Sequence, residues 1–164
     1  MDTELNDLAT RLGRRLKAAG LVLVTAESCT GGWIAKCVTD VAGSSGWLDR
    51  GFITYSNAAK QDMLGVQPGT LSVFGAVSEA TVKEMALGAL ARSPAQVAVA
   101  VSGIAGPGGG SSLKPVGTVC LAWALPGRVV RTETQEFTGD REAVRRQTVV
   151  RALGRLIELL GVDA

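Results

Sequence analysis

The chain predicts a three-layer α/β/α sandwich around a mixed, mostly parallel central sheet, closed by a C-terminal hairpin and helix. Three observations carry that prediction. Short apolar runs alternate with helix-spaced amphipathic segments, the pattern of strands joined by crossover helices. One run, V-A-V-A-V-S at 97–102, is apolar enough for the middle of a sheet. Pro126-Gly127 separates two strand-like runs, 116–125 and 128–137, and reads as a hairpin turn.

The elements follow in order. Leu5, Leu8, Leu12, Leu16 and Ala19 recur at helical spacing, which predicts a helix over 3–19 ending at Gly20. Residues 21–25 are almost all apolar and read as a buried strand. A helix is expected over 30–41, a strand over 51–55, and a short helix over 57–64 stopped by Gly65. Ser78 is a good N-cap for a helix reaching about Arg92. The stretch G-I-A-G-P-G-G-G at 103–110 is too rich in glycine for regular structure. The closing helix, 140–160, sets Val149, Leu153, Leu156, Ile157 and Leu160 on one stripe. Neither a repeat nor a linker interrupts this pattern, so one domain is expected over 1–164.

Composition narrows the function classes. Of 164 residues, 46% are hydrophobic and 20% charged, a globular balance, and with 4% aromatics the core must be aliphatic. A net charge of +2 gives no reason to expect nucleic acid as a partner. Cys29, Cys37 and Cys120 are an odd number without C-x-x-C spacing, and no signal-peptide pattern precedes them. No apolar stretch approaches the roughly 18 residues of a membrane span. A cytoplasmic protein without membrane contact is the expectation. The chain has no histidine, which excludes a Ser-His-Asp triad, a Cys-His dyad and His-ligated zinc.

Against that background T-A-E-S-C-T-G-G, 25–32, is the most informative stretch. A Ser- and Gly-rich turn between a strand and a helix can display a nucleophile among converging N–H groups. A helix starting near Thr30 would aim free N–H groups at whatever Ser28 attacks. The plainer alternative is that Ser28 or Thr30 only caps that helix. Cys29 competes as nucleophile, since a thiol at a helix N-terminus is acidified, yet a cysteine in such a turn is often just a small buried group. These alternatives stay open on local sequence.

Other stretches add candidates. Y-S-N-A-A-K, 55–60, holds the only tyrosine, Tyr55, and a lysine, Lys60, in the first turns of a helix, where the dipole opposes a cation. Partly buried, such a lysine becomes a general base; solvated, it is an ordinary surface group. The Gly-rich loop after the central strand matches neither a Walker A sequence nor the dinucleotide fingerprint, and is a cradle or a mere connection. Strand ends in open α/β sheets line ligand sites, which brings Ser28, Tyr55, Ser102 and Gly103 to one edge. Between 141 and 155 stand five arginines, at 141, 145, 146, 151 and 155, with Glu142 the one acid. Arg141 and Arg145 suit a phosphate or carboxylate, or form a solvated face. Arg146 falls in the apolar sector and reads as an ion pair or an interface residue. Glu27 and Asp49 are the acids near the expected pocket, which a metal-dependent phosphotransferase would need.

Taken together, A-E-S-C-T-G-G (26–32), G-S-S-G-W (43–47), G-F-I-T-Y-S-N-A-A-K (51–60), G-A-V-S-E (75–79), S-G-I-A-G-P-G-G (102–109), K-P-V-G-T-V (114–119) and G-D-R-E-A-V-R-R-Q (139–147) resemble the CinA C-terminal-domain family. The likeness spans roughly residues 5–160 and points to its single-domain nicotinamide mononucleotide deamidases. The resemblance implies an amidohydrolase turning nicotinamide mononucleotide and water into nicotinate mononucleotide and ammonia, a step of pyridine nucleotide salvage. It implies Ser28 as nucleophile with Lys60 and Tyr55 handling protons, no metal and no cofactor. Cys29, Thr30, Gly31, Ser102, Gly103, Arg141 and Arg145 are then the expected substrate-binding residues, with one of the two arginines on the 5′-phosphate. A three-layer fold and a homodimer are likewise implied. The chain lacks the N-terminal nucleotide-processing domain of many relatives, so that domain's activity does not transfer. The competing function is a non-catalytic nucleotide-binding regulatory protein of the same fold.

Overall fold

The computed structural model describes residues 1–161; the last three residues of the expected domain, 162–164, lie outside the described residues. In chain order the elements are α1 (Thr3–Ala19), β1 (Leu23–Glu27), α2 (Trp33–Thr39), a 3-10 turn (Ser44–Gly46), β2 (Leu48–Ile53), α3 (Asn57–Leu64), α4 (Pro68–Phe74), α5 (Glu79–Ala91), β3 (Val97–Gly103), β4 (Thr118–Leu125), β5 (Val129–Glu136) and α6 (Arg141–Leu159). The five strands form one sheet in the order β2-β1-β3-β4-β5. Pairing is parallel from β2 through β1 to β3, and antiparallel from β3 through β4 to β5. The mixed sheet and the C-terminal hairpin are as the sequence predicts.

The alternation V-A-V-A-V in β3 explains the layers. Val97, Val99 and Val101 join Leu121 and Trp123 on one sheet face, where α1, α2 and α6 cover them. Ala98 and Ala100 join Val24, Ala26, Ala122 and Ala124 on the other, under α5 with Leu64 and Leu71 from α3 and α4. Small side chains on that face let α5 lie close to the sheet. The same closeness recurs between helices: a Cβ on Gly88 of α5 would stand 1.9 Å from the Leu64 carbonyl oxygen. Backbone cannot yield cheaply there. Gly88→Ala is therefore expected to destabilise the fold by about 2–3 kcal/mol, as overpacked cores do; a denaturation midpoint unchanged from the parent would refute this.

Several boundaries differ from expectation, each for a physical reason. β1 covers Leu23–Glu27 and not 21–25, because it continues past the apolar run into a buried glutamate. β2 covers Leu48–Ile53 and not 51–55; it is an edge strand, largely exposed, so its sequence lacks an apolar run. α2 starts at Trp33 and not at 30, since Gly31 and Gly32 hold φ of 60° and 102°, outside the helical region. α4 was not anticipated; Pro68 at its first turn supports it, while Gly69 and two β-branched residues obscured it. α1, α3 and α5 lie essentially where the sequence predicts, with Gly20 and Gly65 ending α1 and α3 and Ser78 capping α5; the structure adds Ser56 as the cap of α3.

Candidate active site

Because β1 and β3 run parallel, their carboxyl ends open on the same edge, and the chain leaves β1 toward β2 on one side and meets β3 on the other. Crevices form where strand order diverges in this way. Ser28 directly follows β1, Ser102 and Gly103 end β3, and Tyr55 follows β2. They line one cavity of about 240 Å³ with Cys29, Asn57, Lys60, Ala76, Val77, Ala105 and Arg141.

Lys60 is the unexpected member in its environment. Its side chain is almost wholly buried, at 1% exposure. The ammonium nitrogen stands 3.0 Å from Ser28 Oγ, 3.0 Å from the Thr54 carbonyl oxygen and 3.3 Å from that of Tyr55. Burial penalises the charged form and lowers the pKa below the usual 10.5, opposed by the neighbouring Cys29 thiol. Two carbonyls can thus take the two N–H bonds of a neutral amine, leaving its lone pair toward Ser28. Ser28 Oγ also lies 3.3 Å from the Tyr55 carbonyl, an acceptor for its proton while Lys60 is charged. The surface-lysine alternative does not hold.

Cys29 lines the cavity but is a poor nucleophile. Burial pushes its thiol up to about 11, so the thiolate is scarce at neutral pH. Cys37 and Cys120 are also buried, and none of the three forms a disulfide.

The helix-capping alternative is also resolved. Neither Ser28 nor Thr30 caps α2. Its capping position is Gly32, which has no side chain to offer. Glu27 does the work instead: Oε1 accepts from the Ile34 N–H at 2.9 Å and the Thr30 hydroxyl at 2.6 Å, and Oε2 from the Ala35 N–H at 3.0 Å. The N–H groups of α2 are therefore consumed by a carboxylate and do not face the cavity as free donors. Asp49, the other acid considered, pairs with Arg50. Among the described residues no three His, Cys, Asp or Glu side chains gather as a metal-ligand set.

The arginines separate by role. Arg141 lines the cavity, donating to the Gly106 carbonyl at 2.8 Å and to the Tyr55 hydroxyl at 3.3 Å. Arg145 does not line it. It donates to the carbonyls of Cys29 at 3.0 Å and Thr30 at 3.2 Å while stacking 5.5 Å over Trp33. Its guanidinium braces the turn after Ser28 from α6. Gly31 approaches Arg145 and, like Thr30, stands outside the cavity lining. Arg146 forms ion pairs with Asp2 and Glu4 across to α1, and holds the Asp2 carboxyl down at about 2. Tyr55 divides in two: its carbonyl touches Ser28 and Lys60, whereas its ring is 64% exposed with the hydroxyl on Arg141.

Sequence reasoning missed Asn57, Ala76, Val77 and Ala105. Asn57 lay within the Y-S-N-A-A-K stretch and could have been named as a polar group beside Lys60. The other three carry no reactive group and enter only through packing.

Known proteins resemble this chain closely in sequence and fold. The chain is 56% identical over 155 residues to the nicotinamide-nucleotide amidohydrolase PncC of Escherichia coli K12, covering 94% of each chain. A Pseudomonas putida protein of the same name is 54% identical, with 94% and 96% covered. Among solved structures, the competence/damage inducible protein CihA of Agrobacterium tumefaciens superposes with a TM-score of 0.93 at 51% identity over 95% of both chains. A CinA-superfamily protein of Klebsiella pneumoniae gives 0.91 at 45%, covering 95% and 97%. Among the described residues no helix is long and apolar enough to cross a membrane. The model of the CinA C-terminal domain matches residues 5–160, from α1 through the turn after β1 to the end of α6, and the chain belongs to that family.

Proposed function

We propose that the chain is a nicotinamide-nucleotide amidohydrolase, converting nicotinamide mononucleotide and water into nicotinate mononucleotide and ammonia. The observation that carries the reading is the 3.0 Å contact between buried Lys60 and Ser28 at a cavity edge, in a chain more than half identical to proteins bearing that name. A pocket that merely bound a nucleotide would gain nothing from a lysine desolvated against a hydroxyl, so the regulatory alternative has no observation in its favour.

The reaction divides into two halves. Neutral Lys60 takes the Ser28 proton, and Oγ attacks the carboxamide carbon. The Gly31 N–H is already bound to the Ser28 carbonyl. Oxyanion stabilisation therefore falls to the N–H of Cys29, which lines the cavity as Thr30 does not. The tetrahedral intermediate collapses as the C–N bond breaks, and the proton held by Lys60 passes to the leaving nitrogen, which departs as ammonia. Water then gives a proton to Lys60, attacks the acyl-Ser28 ester, and frees the carboxylate; Oγ recovers its proton. The direct Lys60–Ser28 contact makes a relay through the Tyr55 hydroxyl unnecessary, and Tyr55 serves through its carbonyl. Ser102 and Gly103 contact the nicotinamide or ribose.

Arg141 is the arginine assigned to the 5′-phosphate, because it alone of the two candidates lines the cavity. A charge-assisted pair of this type is worth about 1.5–3 kcal/mol. Arg141→Ala is therefore expected to raise KM about 10- to 100-fold with a much smaller effect on kcat; steady-state kinetics measure it, and an unchanged KM would remove Arg141 from the phosphate site. The reading also includes a cytoplasmic location and a homodimer, for which exposed Val73, Phe74 and Leu113 offer an apolar surface; sedimentation velocity tests the dimer. The decisive assay for function is ammonia release from nicotinamide mononucleotide by purified protein. No release at high enzyme concentration sinks the proposal.

A further inference from the structure

Among the described residues Glu27 is the only buried carboxylate, 1% exposed, and the proposed chemistry gives it nothing to do. Burying a charge is costly unless every lone pair is matched. Here three donors match it: the Thr30 hydroxyl and the N–H groups of Ile34 and Ala35. All three belong to the turn and helix that follow Ser28. The backbone of Glu27 is tied as well, its carbonyl accepting from the Thr54 N–H at 2.8 Å. Thr54 in turn offers its carbonyl to Lys60 at 3.0 Å. One residue thus grips both segments that meet at the Ser28–Lys60 pair, through its side chain on one and its main chain on the other.

The geometry points to Glu27 as a positioning residue for the nucleophile: its carboxylate fixes the 28–35 segment, and with it the orientation of Ser28 Oγ and of the Cys29 N–H. The sequence supports this need. Gly31 and Gly32 both hold positive φ, so the shape of the turn depends on the bonds that hold it. Within the turn these are the Gly31 N–H to the Ser28 carbonyl and, from α6, Arg145 on the Cys29 and Thr30 carbonyls. Gly32 provides no side-chain cap to α2, and a carboxylate in the preceding strand supplies the constraint where the turn enters that helix. Its charge also engages the N-terminal dipole of α2, so the dipole is spent on holding the turn and the oxyanion falls to the Cys29 amide alone. This inference rests on the hydrolase reading only for its kinetic readout.

Glu27→Gln keeps the shape but turns an N–H toward a donor. It is expected to lower kcat for ammonia release about 30- to 100-fold, the scale of a roughly 1 Å misplacement of a reacting group. KM should stay within about twofold, since Glu27 does not line the cavity, and the pH profile should keep its position, since Lys60 is set by other contacts. If Glu27→Gln fails to fold, Thr30→Val removes one of the three donors without changing shape and should lower kcat about fivefold, with Thr30→Ser restoring it. A second readout needs no substrate: labelling of Ser28 by a fluorophosphonate, followed by intact mass, should slow in the same proportion. A kcat and labelling rate within twofold of the parent, or a loss confined to KM, would overturn the positioning role. Wild-type protein that labels at Ser28 yet releases no ammonia would refute the hydrolase reading instead, leaving the labelling comparison to decide on Glu27.

Discussion

Ser28→Ala is expected to reduce ammonia release at least about 10⁴-fold, while Cys29→Ala retains most of the parental rate. The magnitude follows from losing a nucleophile outright: what survives is binding and oxyanion stabilisation acting on water. The contrast between neighbours follows from their surroundings. Ser28 Oγ has a base 3.0 Å away, whereas the Cys29 thiol is pushed up to about 11 by burial, which outweighs the nearby Arg145 and Lys60 charges. Cys29 therefore acts as a small apolar wall of the cavity, and removing its sulfur, which leaves Cβ as a methyl, has a modest cost. The two variants should be compared in one ammonia assay, with folding checked by thermal melting. A dead Cys29→Ala beside an active Ser28→Ala would move the nucleophile by one residue and dissolve the role of Lys60.

How much of this was legible in the sequence depends on which forces decide each element. Helices α1, α3 and α5 were legible because local caps decide them: Asp2, Ser56 and Ser78 each accept a backbone N–H at the start, and Gly20 and Gly65 stop α1 and α3 in the left-handed region. β3 was legible because it is buried on both faces. The two strands that bear the site were misjudged by two or three residues, and for opposite reasons. β1 ends in a buried glutamate that tertiary partners satisfy, and β2 is an exposed edge whose apolar content is low. Local pattern is blind to both circumstances.

The site itself was legible as a set of residues and illegible as a set of roles. Ser28, Lys60, Ser102, Gly103 and Arg141 do converge. Spacing on a helical wheel made Arg141 and Arg145 look equivalent, yet one turn of α6 separates a cavity residue from a brace on the Cys29 and Thr30 carbonyls. Glu27 was seen only as an acid near the pocket, because nothing in A-E-S-C-T-G-G says that its carboxylate folds forward to cap the helix. Tyr55 was read for its hydroxyl, whereas its carbonyl meets the reacting pair. Side-chain identity announces chemistry in a sequence; main-chain acceptors do not.

Lys60→Met is expected to lower kcat about 10³-fold, within the range that a positioned general base contributes, and to erase the acid limb of the pH profile. In the parent that limb rises as pH passes through the lowered Lys60 pKa, because only the neutral amine can accept the Ser28 proton. Stability should report the same group with a defined sign. The folded-state pKa lies below 10.5, the unfolded value near it. Between the two, the unfolded chain binds the extra proton, so the folded state gains stability as pH rises, by at most about 1.4 kcal/mol per unit. Below the lowered pKa the desolvation cost is carried in full. The parent should therefore gain on Lys60→Met as pH is raised toward 10.5, the difference between them being least favourable to the parent at neutral or lower pH. Denaturant titrations of both proteins at several pH values measure this directly. A stability difference independent of pH, or a parental rate that keeps rising until pH reaches 10.5, would mean that Lys60 keeps an ordinary pKa and cannot be the base that Ser28 requires.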